Sequence, residues 1–398
     1  APSWAADPRP GEPPNRWIEF RRELHRRPEL GNRETETMMK IAGALRTIGA
    51  TDIQVGVAKT GVIAMIRGAR PGPTIALRAP IDAFPISEKR ASAYRSTIAG
   101  VSHACGHDGM VAMTLGAAEA LARRRQSLGG SVKLIFQPAE EGGPEGEPSG
   151  APLMVREGVI QGLSSILSLH VDDQIPCGEV GVHPDTVYAG ADTFKIKVEG
   201  RSAHGATPWK GVDAIAVAAQ IVVALQQLSS RQADINDPIV VTVGTIQGGA
   251  RPNQLAGEVQ MSGTLRSYST AGRLRARESL RMAVEGTGAG LGAKATVAWS
   301  EETGPVVNNR RLVEQLSPVL ESRVGAGKLR RMKPMSYADD FSAMSEKVPS
   351  FYFQLGIRND ARGITAATHT EEFDLDERCI PLGATLLADA AAAALELR

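Results

Sequence analysis

Cysteine is scarce in this chain. Three residues, Cys105, Cys177 and Cys379, are spread over 398 positions. An odd count at wide spacing excludes a disulfide framework. Aromatic residues are scarce too, at 4%. Neither sign of charge is in excess: 45 Lys and Arg against 44 Asp and Glu leave a net charge of +1. The basic surplus of a nucleic-acid binder is therefore missing. No unbroken apolar run approaches the roughly 18 residues that span a bilayer, and no repeat recurs at solenoid spacing. What the chain has in quantity is turn residues, 42 Gly and 24 Pro. With 42% hydrophobic and 22% charged residues the composition is globular, and the length calls for about two domains.

The pattern along the chain suggests how these domains are arranged. Residues 1–14 are Pro-rich and lack an initial Met, which reads as a flexible segment, either a trimmed end or the remainder after an export signal is cleaved. The cytoplasm is the default compartment, with export as the alternative. Asn15–Arg27 and Thr35–Ile48 read as amphipathic helices closed by Pro28 and Gly49. Val62–Ile66, Thr74–Leu77, Val132–Phe136 and Ile166–Leu169 read as strands, and a helix begins near His107 and runs to about Arg124. Strands alternating with helices indicate a layered α/β domain. From about Tyr188 the pattern changes. Strand Phe194–Val198, helix Gly211–Ser229, strands Val240–Ile246 and Val259–Leu265, and an Arg-rich helix near Arg273–Glu285 follow the order of a split-βαβ, ferredoxin-like unit. This places an inserted domain at 188–301 within a discontinuous domain of 15–187 and 302–398, the latter ending in an Ala-rich helix at 383–397.

Four stretches carry chemistry. His103-Ala104-Cys105-Gly106-His107-Asp108 puts a thiol and an imidazole one residue apart, just before a helix, where both can reach one cation. A buried Cys with Asp108 as a helix cap is the plain alternative. Gln137-Pro138-Ala139-Glu140-Glu141 sets two carboxylates at the end of a buried strand, where open α/β sheets place their sites. Adjacent side chains point apart, so one carboxylate can bind metal while the other handles a proton. His170 closes another apolar strand, and His369 follows a Gly-containing loop. Each alone fits a structural or surface role. Together, Cys105, His107, Glu141, His170 and His369 form an N/O/S donor set sufficient for two metals.

With these motifs the chain resembles the M20 metallopeptidase family. It is most similar to the amidohydrolase branch of hippurate hydrolases, N-acyl-amino-acid deacylases and auxin-conjugate hydrolases. The matching stretches are HRRPELGNRETET (25–37), LRAPIDAFPI (77–86), HACGHDGM (103–110), IFQPAEEG (135–142), LSLH (167–170), GRSAHGATPWKGVDAI (200–215), the glycines, Asn253 and GTLR of 248–266, and DDFS (339–342) with His369. The resemblance implies a zinc-peptidase-like three-layer α/β catalytic domain with an inserted α+β domain for closure and dimerisation. It implies two divalent cations per subunit, zinc or manganese, with cobalt or nickel as further options. Their ligands would be Cys105, His107, Glu141, His170 and His369. It makes Glu140 the general base and Asp82 the residue that orients the ligands. His204 would polarise the substrate carbonyl, often from the partner subunit, and Asn253 and Arg266 would hold the substrate carboxylate. The implied partners are a small acyl amino acid and a second copy of the chain, as a homodimer or a tetramer, with no nucleic acid and no membrane.

Three features depart from the family pattern. Pro80 stands where an acid is common, Asp339 replaces a Glu, and residues 87–102 diverge from the usual loop. The leading expectation is a metal-dependent amidohydrolase of N-acyl or N-aroyl amino acids. The alternatives are a dipeptidase or carbamoyl-amino-acid hydrolase, an amidase with Cys105 as nucleophile, and a non-catalytic binding protein on the same fold.

Overall fold

The computed structural model describes residues 15–397, so the expectation for 1–14 lies outside the described residues. In chain order the elements are α1 (Arg16–Arg26), α2 (Thr35–Ile48), β1 (Thr51–Val57), β2 (Gly61–Arg67), β3 (Arg70–Pro80), α3 (His107–Arg123), β4 (Gly129–Gln137), α4 (Gly150–Arg156), β5 (Ser165–Pro176), β6 (Val180–Val182) and β7 (Thr186–Tyr188). Next come β8 (Gly190–Glu199), α5 (Ala214–Gln227), β9 (Ile239–Gly248), β10 (Glu258–Ser267), α6 (Thr270–Gly290), β11 (Lys294–Thr303) and β12 (Val306–Val307). The chain ends with α7 (Arg310–Val324), β13 (Leu329–Arg331), α8 (Ser342–Ser345), β14 (Ser350–Arg358) and α9 (Cys379–Leu395).

The chain forms two compact units. The first holds residues 15–187, Asn308–Lys333 and 343–397, and the second holds Tyr188–Val307 and Pro334–Ser342. The sequence boundary at 301 falls inside β11, which stays paired with β8 through Thr303 opposite Ala191. A strand cannot leave its sheet in mid-ladder, so the second unit runs further. It also gains 334–342, because Ala189 N–H donates to Met335 O at 3.0 Å.

The first unit is built on an eight-stranded mixed sheet, ordered β1-β2-β4-β3-β5-β14-β6-β13. Its centre is parallel: β3 pairs with β4 and β5, and β5 with β14. These strands read as unbroken apolar runs because both faces are covered. Four strands of this sheet, β1, β6, β13 and β14, fall outside the sequence expectation. β1 is largely exposed and carries no clear alternation. β14 is buried along almost its whole length, and periodicity alone cannot tell such a run from a buried helix. Helix α3 is apolar all round and almost wholly buried, as a core helix should be. It approaches α9 closely at Gly116, where an added Cβ would lie 2.7 Å from Ala384 Cβ.

The second unit is a four-stranded antiparallel sheet, ordered β11-β8-β10-β9, with helices α5 and α6. Strict alternation in β8 buries Phe194, Ile196 and Val198 on one face. Helix α5 is capped by Asp213, whose carboxylate accepts from Ile215 N at 3.0 Å. Within the chain this helix is buried on one face: Val217, Ile221 and Leu225 are buried, while Ile215 and Val223 are exposed. Ala214–Gln232 is the one stretch among the described residues long and apolar enough to cross a membrane by length and composition. Gln220, Gln226, Gln227 and Arg231 interrupt it.

Candidate metal centre

The site is assembled at the C-terminal ends of the central parallel strands of the first unit. Past Pro80 at the end of β3 comes Asp82, past Gln137 at the end of β4 come Glu140 and Glu141, and β5 carries His170. Helix α3 begins at His107. Gly106 precedes it at φ +82, which lets the chain turn between Cys105 and the helix. His369 comes from the loop before α9. Its backbone N–H donates to Ala104 O at 2.8 Å, and its ring stacks on Phe84 at 4.2 Å between centroids. Thr368 N–H donates to Asp173 at 2.7 Å, which fixes the same loop.

Within the first unit three sets of donor atoms lie within 4.8 Å of one another: Cys105, His107 and His170; Cys105, Glu141 and His369; and His107, Glu140 and Glu141. Cys105 Sγ is 3.5 Å from His170 Nε2, and His369 Nε2 is 2.9 Å from Glu141 Oε1. His107 Nε2 lies 3.6 Å from Glu140 and 4.0 Å from Glu141. Asp82 touches both sides of the cluster. Its Oδ1 sits 3.1 Å from His107 Nδ1, and its Oδ2 accepts from Glu141 N at 2.8 Å.

The ring orientations test whether these residues suit a metal. His107 Nδ1 faces two acceptors, Asp82 O at 3.0 Å and Asp82 Oδ1, so it carries the proton. His107 Nε2 then presents a lone pair, and it is a buried nitrogen without a hydrogen-bond partner. His170 is oriented the same way by Val171 O, 2.8 Å from its Nδ1. Metal-binding histidines are generally held so, with the second nitrogen donating to a carbonyl or carboxylate.

The electrostatics agree. Burial pushes the Cys105 thiol well above its usual pKa, and Glu141 and Glu140 push it further. A thiolate here is unfavourable until a cation neutralises the carboxylates. Burial also raises Glu141, but the hydrogen bond from His369 and the charge of His107 outweigh it and keep the carboxylate below its normal range. For His107 burial favours the neutral ring, and contact with Asp82 more than offsets it. The residues fit a cation site.

Of the other sequence candidates, His204 and Asn253 are neighbours in the second unit, where Gly205 N–H donates to Asn253 O at 2.8 Å. Both are exposed. His204 Nδ1 accepts from Ala206 N at 3.1 Å, which leaves the proton on Nε2. Arg266 is not with them. It lies near the far end of β10, opposite Ala191, while the end nearer Asn253 pairs Glu258 with Glu199. The separation along the strand is about 27 Å at ~3.4 Å per residue. Pro80 closes β3, buried and opposite Gln137 in the ladder. Asp339 accepts from Phe341 N at 2.8 Å, a local turn bond for which its short side chain is sufficient.

Behind the centre lies a buried ionic cluster that the motif reading did not find. Asp108 is not a helix cap. Gly106 holds the N-cap position, while Asp108 accepts from Arg21 Nε at 2.6 Å and lies 2.7 Å from His25 Nδ1. Arg21 also donates to Asp374 at 3.0 Å. The signal available was Arg21 and His25 four residues apart on one face of α1. Glu34, buried beneath the Glu140 loop, was also missed.

The chain matches the family model described as peptidase family M20/M25/M40 over residues 76–393. It is 36% identical over 369 residues to thermostable carboxypeptidase 2 of Saccharolobus solfataricus, covering 92% of each chain. It is 34% identical over 381 residues to N-acetylcysteine deacetylase of Bacillus subtilis, covering 96% of this chain and 97% of that one. Among solved structures it superposes on the Bacillus subtilis YXEP protein, described as a dinuclear metal binding peptidase of family M20. The TM-score is 0.83 at 34% identity, over 96% of this chain and 98% of that one. Together with the donor cluster at the strand ends, these matches show that the chain belongs to peptidase family M20/M25/M40 and is a metal-dependent hydrolase of amide bonds.

Proposed function

We propose that this chain cleaves the amide bond of N-acyl or N-aroyl amino acids, with Glu140 as proton carrier. The observation that carries this reading is the convergence of Cys105, His107, Glu141, His170 and His369 beside Glu140. These five would hold two divalent cations. When bound, such cations acidify a water molecule and polarise a carbonyl. Glu140 takes the water's proton and returns it to the leaving nitrogen. Asp82 keeps the His107 ring turned toward the centre. His204, with its proton on Nε2, donates to the developing oxyanion. Asn253, beside it, receives the substrate carboxylate. For Arg266 that role rests on the resemblance alone.

The relatives support the leaving group. A carboxypeptidase and an N-acetylcysteine deacetylase, by their names, both release an α-amino acid with a free carboxylate. The carboxypeptidase match also favours a second reading, in which the acyl side is itself an amino acid and the substrate a small peptide. A Cys105 nucleophile is disfavoured, because burial and two carboxylates hold the thiol protonated.

The test is hydrolysis of N-acetyl, N-benzoyl and longer N-acyl amino acids with a dipeptide alongside. Metal-stripped protein is compared with protein restored by zinc or manganese. Activity should vanish on stripping and return with metal. Glu140→Gln should lower kcat by about 10²–10⁴ while metal content is kept. Activity indifferent to chelation and blocked by thiol alkylation would make Cys105 the nucleophile instead.

A further inference from the structure

The two carboxylates of the centre share one short loop with an uncommon backbone. Ala139 has φ +47, a left-handed conformation that alanine keeps only when its surroundings hold it there. The amides of the two residues flanking Glu140 are each tied to a buried carboxylate. Glu141 N–H donates to Asp82 Oδ2 at 2.8 Å, and Ala139 N–H donates to Glu34 Oε1 at 2.8 Å.

Nothing in its own helix explains Glu34. It occupies the N-cap position of α2 yet makes no capping bond. The first amides of that helix are taken by Glu29 instead, at 3.1 Å from Glu36 N and 2.8 Å from Thr37 N. The second Glu34 oxygen accepts from Thr60 Oγ1 at 2.5 Å. Glu34 is fully buried, and burial with the nearby Asp82 charge pushes its pKa up to about 7. Keeping such a group opposes folding, so a role beyond packing is indicated. The connector that carries it lies hard against the loop: a Cβ at Gly31 would fall 2.1 Å from Gly142 O.

We propose that Glu34 is a positioning residue for the amide hydrolysis, holding the left-handed turn at Ala139 so that Glu140 is aimed at the reacting water. This rests on Glu140 being the proton carrier.

The experiment uses the metal-loaded full chain with Glu34→Ala, Glu34→Asp, Glu34→Gln and Glu140→Gln. It reads kcat, KM, metal content and hydrogen exchange at the Ala139 amide. Glu34→Ala should lower kcat about 10–100-fold, the usual cost of losing a supporting contact, with KM and metal content little changed and Ala139 exchange accelerated. Glu34→Gln can still accept from Ala139 and donate to Thr60, so it should restore most of kcat and slow the exchange again. Glu34→Asp withdraws the carboxyl by one methylene and should behave like Ala, which decides the matter if Glu34→Ala does not fold. Full kcat in the Ala or Asp variant, or a Gln variant as poor as both, overturns the proposal. An active Glu140→Gln overturns the reading beneath it. An inactive Glu140→Gln with fully active Glu34 variants overturns the positioning role alone.

Discussion

Glu34 makes a prediction at the scale of one residue that is independent of catalysis. Its folded pKa of about 7 lies above the ordinary carboxyl value of 4.5. Between those values the folded chain holds a proton that the unfolded chain has released. Stability from this group is therefore complete below pH 4.5 and is lost as pH rises through 7. Glu34→Gln removes the titration. In metal-free protein its stability relative to the parent should improve from pH 5 to pH 8, by up to about 3 kcal/mol. Denaturant titrations at the two pH values check this, and an equal difference at both would refute it. The neighbouring histidines show how context sorts identical side chains. His103 is driven down to about 3 by burial and is neutral. His25 is held above its normal value, because Asp108 and Glu88 outweigh burial and the adjacent Arg21.

Helix α3 shows what an element contributes. It supplies His107 to the centre, and its first turn is anchored from behind by α1 through Arg21 and Asp108. Both members of that pair have fully buried side chains. Removing Arg21 leaves the buried Asp108 with His25 as its remaining counter-ion, and breaking such a buried pair costs about 3–5 kcal/mol. Arg21→Ala should lose about that much in an unfolding titration. It should also weaken metal retention, since Asp108 is next to His107. A loss below 1 kcal/mol would mean that water reaches Asp108 and that the cluster is not dry. The helix was legible from its apolar run, which includes Met110, Met113, Leu115 and Leu121. Its partner in the ion pair was not, being 87 residues away.

At the scale of the whole molecule, the second unit carries an unfinished surface. Among the described residues strand β9 is an edge, paired with β10 alone. It exposes Val240 and Ile246, at 51% and 52%, while α5 exposes Ile215 and Val223, at 46% and 59%. An open edge beside apolar side chains invites pairing with another copy. The homodimer implied by the family resemblance would form through this unit. The chain should sediment at twice the monomer mass, and Val223→Glu with Ile246→Lys should shift it toward monomer. A monomeric parent chain would remove the inference.

Local information carried much of this protein into its sequence. Apolar periodicity marked α1, α2 and the alternating β8, because such patterns follow from which face of an element is buried. The order of strands and helices after Tyr188 follows the split-βαβ pattern, and its four long strands form one antiparallel sheet. Donor chemistry marked Cys105, His107 and Glu141, whose types and close spacing suit a cation. Tertiary structure decided what local pattern cannot encode. It alone brought His369 to Glu141 across 228 residues and set Glu34 under Ala139 across 105. It also turned Asp108 from a helix cap into the counter-ion of Arg21, and parted Arg266 from Asn253. These pairings depend on how strands are ordered in a sheet and how loops close above it. A residue's own neighbours along the chain do not determine that arrangement.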